Sequence, residues 1–163
     1  MPKWRQMTSP DLAPVEQVAD VVHPAYPEDD AIFAERLDLY PPGCLVLEIN
    51  QTIQGYAIGH PSLIQHPPPL NTLLGRLPQH PDTFHIHDLA RLPSARGAGH
   101  AITAIDIFIE QAKALAVPRM SLIAVGKSLN FWRRNGFEIA DQTPVQASLA
   151  TYGDNAIFMT RPL

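Results

Sequence analysis

Thr83 to Ala101, TFHIHDLARLPSARGAGHA, is the stretch whose reading decides the fold. Phe84, Ile86, Leu89 and Leu92 give it the apolar content of a strand. Pro93 ends strand pairing, because proline has no backbone N–H to donate. Arg96-Gly97-Ala98-Gly99-His100-Ala101 then opens a long segment with helical apolar spacing. The first turn of a helix leaves backbone N–H groups unpaired, and the helix dipole adds partial positive charge there. Glycines let such a backbone approach a phosphate closely. The chemistry implied is pyrophosphate binding. An ordinary Gly-rich strand-to-helix turn is the plain alternative.

A Walker loop would end in Gly-Lys-Ser/Thr, which is absent. A dinucleotide fingerprint needs three glycines and a downstream acid, and this turn has only Gly97 and Gly99. What remains is Arg-x-x-Gly-x-Ala, at Arg96, Gly99 and Ala101. After it, Ile102, Ala104, Ile105, Ile107, Phe108, Ala112 and Leu115 recur at helical spacing, and Pro118 follows the expected helix end. Met120 to Val125 reads as a short apolar strand. Ser128-Leu129-Asn130-Phe131-Trp132-Arg133-Arg134-Asn135-Gly136-Phe137 reads as a short helix capped by Gly136 in the left-handed conformation.

These two motifs, in this order, resemble the acetyl-CoA signature and the closing Gly-Phe signature of the GNAT N-acetyltransferase superfamily. The resemblance implies an α/β (α+β) fold over residues 1–163 as one domain. Its central mixed, mostly antiparallel sheet is flanked by helices, with a V-shaped splay between the fourth and fifth strands. It implies acetyl-CoA as co-substrate. Backbone groups of Leu89, Ala90 and Arg91 would pair with the pantetheine arm like an added strand. Arg96 and the turn Gly97, Ala98, Gly99, His100 and Ala101 would hold the pyrophosphate, with Ser128 and Phe131 completing the site.

The N-terminal half fits the same order. Trp4 to Met7 reads as a first strand, and Thr8-Ser9-Pro10-Asp11 offers a helix cap before Leu12, Val15, Val18 and Val22. Asp29 or Asp30 starts a second helix carrying Ile32, Phe33, Leu37 and Leu39. Gly43 to Glu48 and Thr52 to Gly59 form an expected hairpin through Asn50-Gln51. Ser62 to Asp82 holds Pro67-Pro68-Pro69, Pro78 and Pro81, which bar regular sheet. It reads either as an exposed connector or as a packed loop beside the acceptor, with a short helix through Leu70, Leu73, Leu74 and Leu77. Tyr152 to Asn155 is an expected turn before a last strand, Ala156 to Arg161.

Composition bounds the function. The chain has 163 residues, is 45% hydrophobic and carries a formal net charge of -4. Such mild acidity disfavours nucleic acid as the main partner and suits a cationic amine. One cysteine, Cys44, excludes an internal disulfide and suits a reducing cytoplasm. MPKWRQMTSP lacks the apolar core of a signal peptide, and no apolar run reaches membrane-spanning length, so neither export nor membrane insertion is expected.

Direct attack of an amine on a thioester needs a base, because an ammonium has no lone pair. By strand alternation His85, His87, Leu89 and Arg91 share one face and Asp88 the other. The run His85-Ile86-His87-Asp88-Leu89-Ala90 resembles the segment of arylalkylamine N-acetyltransferases in which paired histidines pass the amine proton. Two hydrogen-bonded structural histidines are the alternative. A His-x-His metal pair lacks further ligands at recognisable spacing, so no metal is expected. The superfamily's acid-bearing Tyr position is Trp132, whose indole is only a donor. Either the thiolate leaves unassisted, or Tyr152 or Tyr56 substitutes, or catalysis is weak and the chain is an acyl-CoA-binding regulator. Small amine, aminoglycoside, polyamine and peptide acceptors all stay open, as does a homodimer.

Overall fold

The computed structural model describes residues 1–163. In chain order the elements are β1 (Lys3–Gln6), α1 (Leu12–Val22), α2 (Asp30–Leu39), β2 (Cys44–Ile49), β3 (Thr52–Ser62) and β4 (Thr83–Arg91). Then come α3 (His100–Ala114), β5 (Arg119–Ala124), α4 (Leu129–Arg134), β6 (Glu138–Ile139), α5 (Gln146–Ala150) and β7 (Ile157–Pro162). The seven strands form one sheet in the order β1-β2-β3-β4-β5-β7-β6. Every neighbouring pair is antiparallel except β4 with β5.

Local chemistry sets these elements. Thr8 N–H donates to Asp11 Oδ2 at 2.8 Å, a reciprocal cap that launches the first helical turn. Asn50 and Gln51 both have positive φ, 52° and 63°, the geometry of the two-residue turn that matches strand twist between β2 and β3. β3 runs past the expected end at Gly59 to Ser62 and includes Pro61. β2 pairs with β3 only as far as Ile58, so the missing Pro61 N–H breaks no ladder bond on that side. After α4, Phe137 N–H donates to Trp132 O and Gly136 N–H to Arg133 O, both at 3.1 Å. Gly136, at φ 88°, is the left-handed residue this Schellman cap requires.

Each sheet face buries its own core. α3 lays Ala104, Ile105, Phe108 and Ala112 on Phe84, Ile86, Met120 and Leu122, and Trp132 and Phe137 extend this cluster. On the other face α1 and α2 bring Val15, Val18 and Phe33 onto Val46, Tyr56, Ile58 and Ala90. Ile102 and Leu115, which share the helical apolar pattern, are instead exposed.

β4 does not alternate throughout. Ile86 pairs with Gly59 and Asp88 with Ile58, which leaves His87 as an extra, bulged residue. The bulge resets the faces and corrects the expected alternation. Leu89 packs with the α3-side cluster and Ala90 with the opposite one. Leu89 and Arg91 therefore do not share a face with the histidines, whereas Asp88, beside Tyr56, does.

The expected helix through Leu70 to Leu77 is absent, and the segment is irregular. Asn71 and Gly75 take positive φ, 54° and 77°, which interrupts any helix there. Side chains hold the segment instead. Glu35 accepts from Leu74 N–H at 2.6 Å and Gly75 N–H at 2.9 Å, and Thr151 Oγ1 accepts from Leu70 N–H at 2.9 Å. Ser148 Oγ donates to Pro67 O at 2.7 Å. Buried Arg36 reaches Glu35 Oε1 at 2.9 Å and Thr72 O at 3.3 Å.

Candidate active site

The parallel β4–β5 ladder contains only Phe84, Ile86 and His85 against Met120, Leu122 and Ser121. Beyond Ile86 the two strands part. A cleft of about 480 Å³ opens between them, lined on β4 by Ile86, His87, Asp88, Leu89 and Arg91 and after β5 by Val125, Gly126 and Ser128. The stretch Leu89–Arg91 is paired only with β3, at Gly55 to Ala57. Its outer edge is free to accept an extended chain.

Part of the cleft lining is cationic. Arg91, Arg96 and Lys127 supply the charge, and Arg91 lies over the Phe131 ring, 5.7 Å from its centroid. The Gly97–Ala101 turn leads into α3. Gly97 and Gly99 sit at φ 83° and 78°, and a Cβ on either would meet nothing within 4 Å. The turn thus presents open backbone at a helix N-terminus, a fit for a phosphate group. Trp4 Nε1–H donates to His100 O at 2.8 Å and ties the turn to β1. Ser128 Oγ donates to Val125 O at 2.7 Å and shapes the opposite lip.

The lining also includes two imidazole–carboxylate pairs and the tyrosines Tyr26 and Tyr152, with Tyr56 behind Asp88. His87 Nε2 lies 2.8 Å from Glu28 Oε1, with side chains 2% and 5% exposed. His23 Nε2 lies 2.9 Å from Asp88 Oδ1, and Tyr56 OH donates to Asp88 Oδ2. Burial works against ionised Glu28 and Asp88. The facing imidazoles, with hydrogen bonds from Asn71 N–H to Glu28 and from Tyr56 to Asp88, outweigh it and lower both carboxyls. Burial opposes a charged His23 too, yet the Asp88 carboxylate raises it. Burial, then Asp88, pushes Tyr56 well above the usual phenol range. Tyr152 is raised by burial, with its hydroxyl 3.4 Å from Pro68 O. Tyr26 and Leu70 also line the cleft.

His87, Tyr152, Leu89, Arg91, Arg96, Ser128 and Phe131 thus line one cleft. Ala90 contributes backbone only, since its side chain packs in the α1–α2 core. His85 does not reach the cleft. It is 1% exposed, with Nδ1 3.1 Å from Ser121 Oγ, and burial holds it well below the ordinary histidine value. His60 from β3 lies beside both histidines, with ring centroids 5.8 Å from His85 and 6.5 Å from His87. Sequence reading missed Glu28, which sits 59 residues before His87 in a run that reads as a helix start. It also missed His23 and Lys127. No cluster of three or more His, Cys, Asp or Glu is arranged to hold a metal ion, and no helix is long and apolar enough to cross a membrane.

A sheet split between its one parallel pair, with a Gly turn at a helix start beside the split, defines an acyl-transferase type of α/β protein. The chain belongs to the acetyltransferase (GNAT) family, whose model matches residues 4–137. No curated protein sequence matches it. Among solved structures it is similar to Ard1 from Thermoplasma volcanium (TM-score 0.73, 15% identity, 99% of this chain and 97% of that one). It is similar to the GphF GNAT-like decarboxylase in complex with isobutyryl-CoA (TM-score 0.80, 13% identity, 98% of each chain). A third is N-acetylglutamate synthase from Neisseria gonorrhoeae complexed with coenzyme A and N-acetyl-glutamate. There the TM-score is 0.72 at 17% identity, and all of this chain covers only 35% of that one.

Proposed function

We propose that the protein transfers the acetyl group of acetyl-CoA to a primary amine by direct attack. The observation that carries this reading is the cleft itself. Its lining joins a free strand edge at Leu89–Arg91, the cations Arg91, Arg96 and Lys127, and a buried imidazole with an unpartnered nitrogen, and the Gly97–Gly99 turn follows Arg96 directly in the chain. Family membership and the coenzyme A and isobutyryl-CoA in two of the similar structures support the co-substrate.

In this reading Arg96 and the amides of Gly97, Ala98, Gly99, His100 and Ala101 hold the pyrophosphate. Leu89, Ala90 and Arg91 align the pantetheine arm, and Ser128 and Phe131 flank it. The neutral amine lone pair attacks the thioester carbonyl carbon. The C–N bond forms, the C–S bond breaks and the sulfur leaves as thiolate. His87 takes the proton from the nitrogen. His85 stands behind it and supports the pocket rather than touching the amine. Tyr152 is the proton donor for the thiolate, since its hydroxyl has only a long contact to Pro68 O and Trp132 has no acidic proton to give. Glu28 and Asp88 favour a cationic acceptor.

The test is transfer from acetyl-CoA to an amine library, read by mass spectrometry, beside the melting temperature with acetyl-CoA. Wild type is expected to acetylate at least one amine and to melt higher with acetyl-CoA. His87→Gln is expected to lose about 10²-fold or more in kcat while keeping the thermal rise. No thermal shift at millimolar acetyl-CoA and no binding by calorimetry would end the reading. Tight acetyl-CoA binding with no transfer to any amine would favour a regulatory binder instead, a reading that Trp132 at the tyrosine position supports.

A further inference from the structure

The geometry points to Glu28 as the positioning residue that fixes which nitrogen of His87 is the base. This rests on the reading of His87 as proton acceptor and adds a residue that no sequence motif marks. Glu28 Oε1 lies 2.8 Å from His87 Nε2, and both side chains are almost fully buried. Depressed by His87 and Asn71, the carboxyl is ionised and can only accept. Nε2 must therefore carry the proton. The reverse tautomer would set a lone pair against a carboxylate oxygen. His87 Nδ1 is buried without a partner, and His87 lines the cleft, so the free lone pair belongs to Nδ1. A carboxylate behind the ring also stabilises the imidazolium that proton uptake creates.

The same carboxylate also ties down the proline-rich segment. Glu28 Oε2 accepts from Asn71 N–H at 2.9 Å, and Asn71 Oδ1 accepts from Asp29 N–H at 2.7 Å. One oxygen orients the base and the other holds the chain that covers it. The other ionisable groups facing His87 are engaged elsewhere. Asp88 on β4 is taken by Tyr56 and His23. Arg36 on α2 is bonded to Glu35, and His85 on β4 to Ser121. His60 on β3 spends Nδ1 on Pro61 O at 2.8 Å. Tyr152, after α5, turns its hydroxyl to Pro68 O. Of these groups only Glu28 hydrogen-bonds the imidazole, while the neighbouring His60 keeps Nε2 without a partner.

The experiment combines kinetics with long-range ¹H–¹⁵N NMR of the His87 ring. Wild type is expected to show one neutral tautomer, protonated at Nε2. Glu28→Gln can accept from or donate to the ring, so a mixture is expected. Its kcat should fall roughly 10- to 100-fold, as for outer partners that orient an imidazole. The acetyl-CoA KM and thermal rise should hold, and the ascending limb of the pH–rate profile should move to lower pH. Glu28→Asp should recover part of kcat. Wild-type kcat, pH profile and a single tautomer in Glu28→Gln would overturn the proposal. So would a wild-type ring protonated at Nδ1, which is decisive even if the variant fails to fold. If wild type acetylates nothing, the functional reading fails, while the NMR result still decides the role of Glu28.

Discussion

Acidification from pH 6.5 to 5 should destabilise the protein through imidazoles that the fold keeps neutral. His60 is 2% exposed and spends Nδ1 on the Pro61 carbonyl, and burial pushes it down to about 3. The unfolded imidazole titrates near ~6.5, so below that pH the unfolded chain binds a proton that the folded one refuses. The stability from His60 is whole above the unfolded value and is lost as pH falls toward about 3. At about 1.4 kcal/mol per pH unit, the loss from pH 6.5 to 5 is about 2 kcal/mol. His85, also depressed by burial, adds loss of the same sign. Glu16 opposes them, pushed up to about 7 by burial and then by Asp30, but at the surface its effect is screened. His23 is raised, so its contribution is complete below the ordinary value and fades only at higher pH. Asp11, near about 2 through its bond to Arg5, matters only in stronger acid.

The comparison that isolates the effect is urea unfolding of wild type and His60→Phe at pH 6.5, 5.75 and 5.0, at constant ionic strength. The variant's absolute stability is immaterial, because only its pH slope is read. That slope should be shallower by nearly one proton, about 2 kcal/mol over the interval. Imidazole NMR on wild type supplies the same information without mutation, as a ring that does not titrate above pH 5. Equal slopes in the two proteins, or a His60 resonance titrating near 6.5, would refute the argument.

Gly136→Ala forces a side chain into φ 88° and sets its Cβ 3.2 Å from Arg161 Nε. A loss of about 2 kcal/mol is expected, read as a melting temperature lower by roughly 4–8 °C with the acetyl-CoA response kept. Gly99→Asp strains a φ of 78° by about 1–2 kcal/mol, but its Cβ has open space, so the fold should survive while a carboxylate at the turn abolishes the acetyl-CoA thermal rise.

Much of the fold was legible because it rests on local chemistry. The Gly turn before α3, the Gly136 cap and the Asn50-Gln51 hairpin are each dictated by a few adjacent residues, and each stands where the sequence puts it. The β4 bulge was not legible. Nothing between His85 and Leu89 announces an extra residue, since the register is set across the sheet by Ile58 and Gly59. Strict alternation therefore misassigned Asp88, Leu89 and Arg91. Leu89, Arg91, Arg96, Ser128 and Phe131, which the sequence motifs mark, stand in the cleft lining because each belongs to a contiguous run. The rest of the lining comes from residues far apart in the chain, His23, Glu28, His87 and Tyr152, of which the sequence singles out only the last two. The proline-rich segment misled for a related reason. Its leucines suggest a helix, but Glu35 and Thr151 cap its amides from outside.

The bulge at His87 also separates two duties that a regular strand would bind together. Because position 87 is surplus to the β3 ladder, its side chain can change without moving the edge at Leu89–Arg91. Substitution there alters chemistry and leaves the frame intact. Deleting the residue leaves that frame in place as well. Ile86 opposite Gly59 would be followed directly by Asp88 opposite Ile58, so alternation becomes regular while Leu89 stays on the α3 side and Ala90 on the α1–α2 side. A change of length at position 87 therefore costs the imidazole and the local bend, whereas a deletion at a paired position such as Asp88 would shift the register of all that follows.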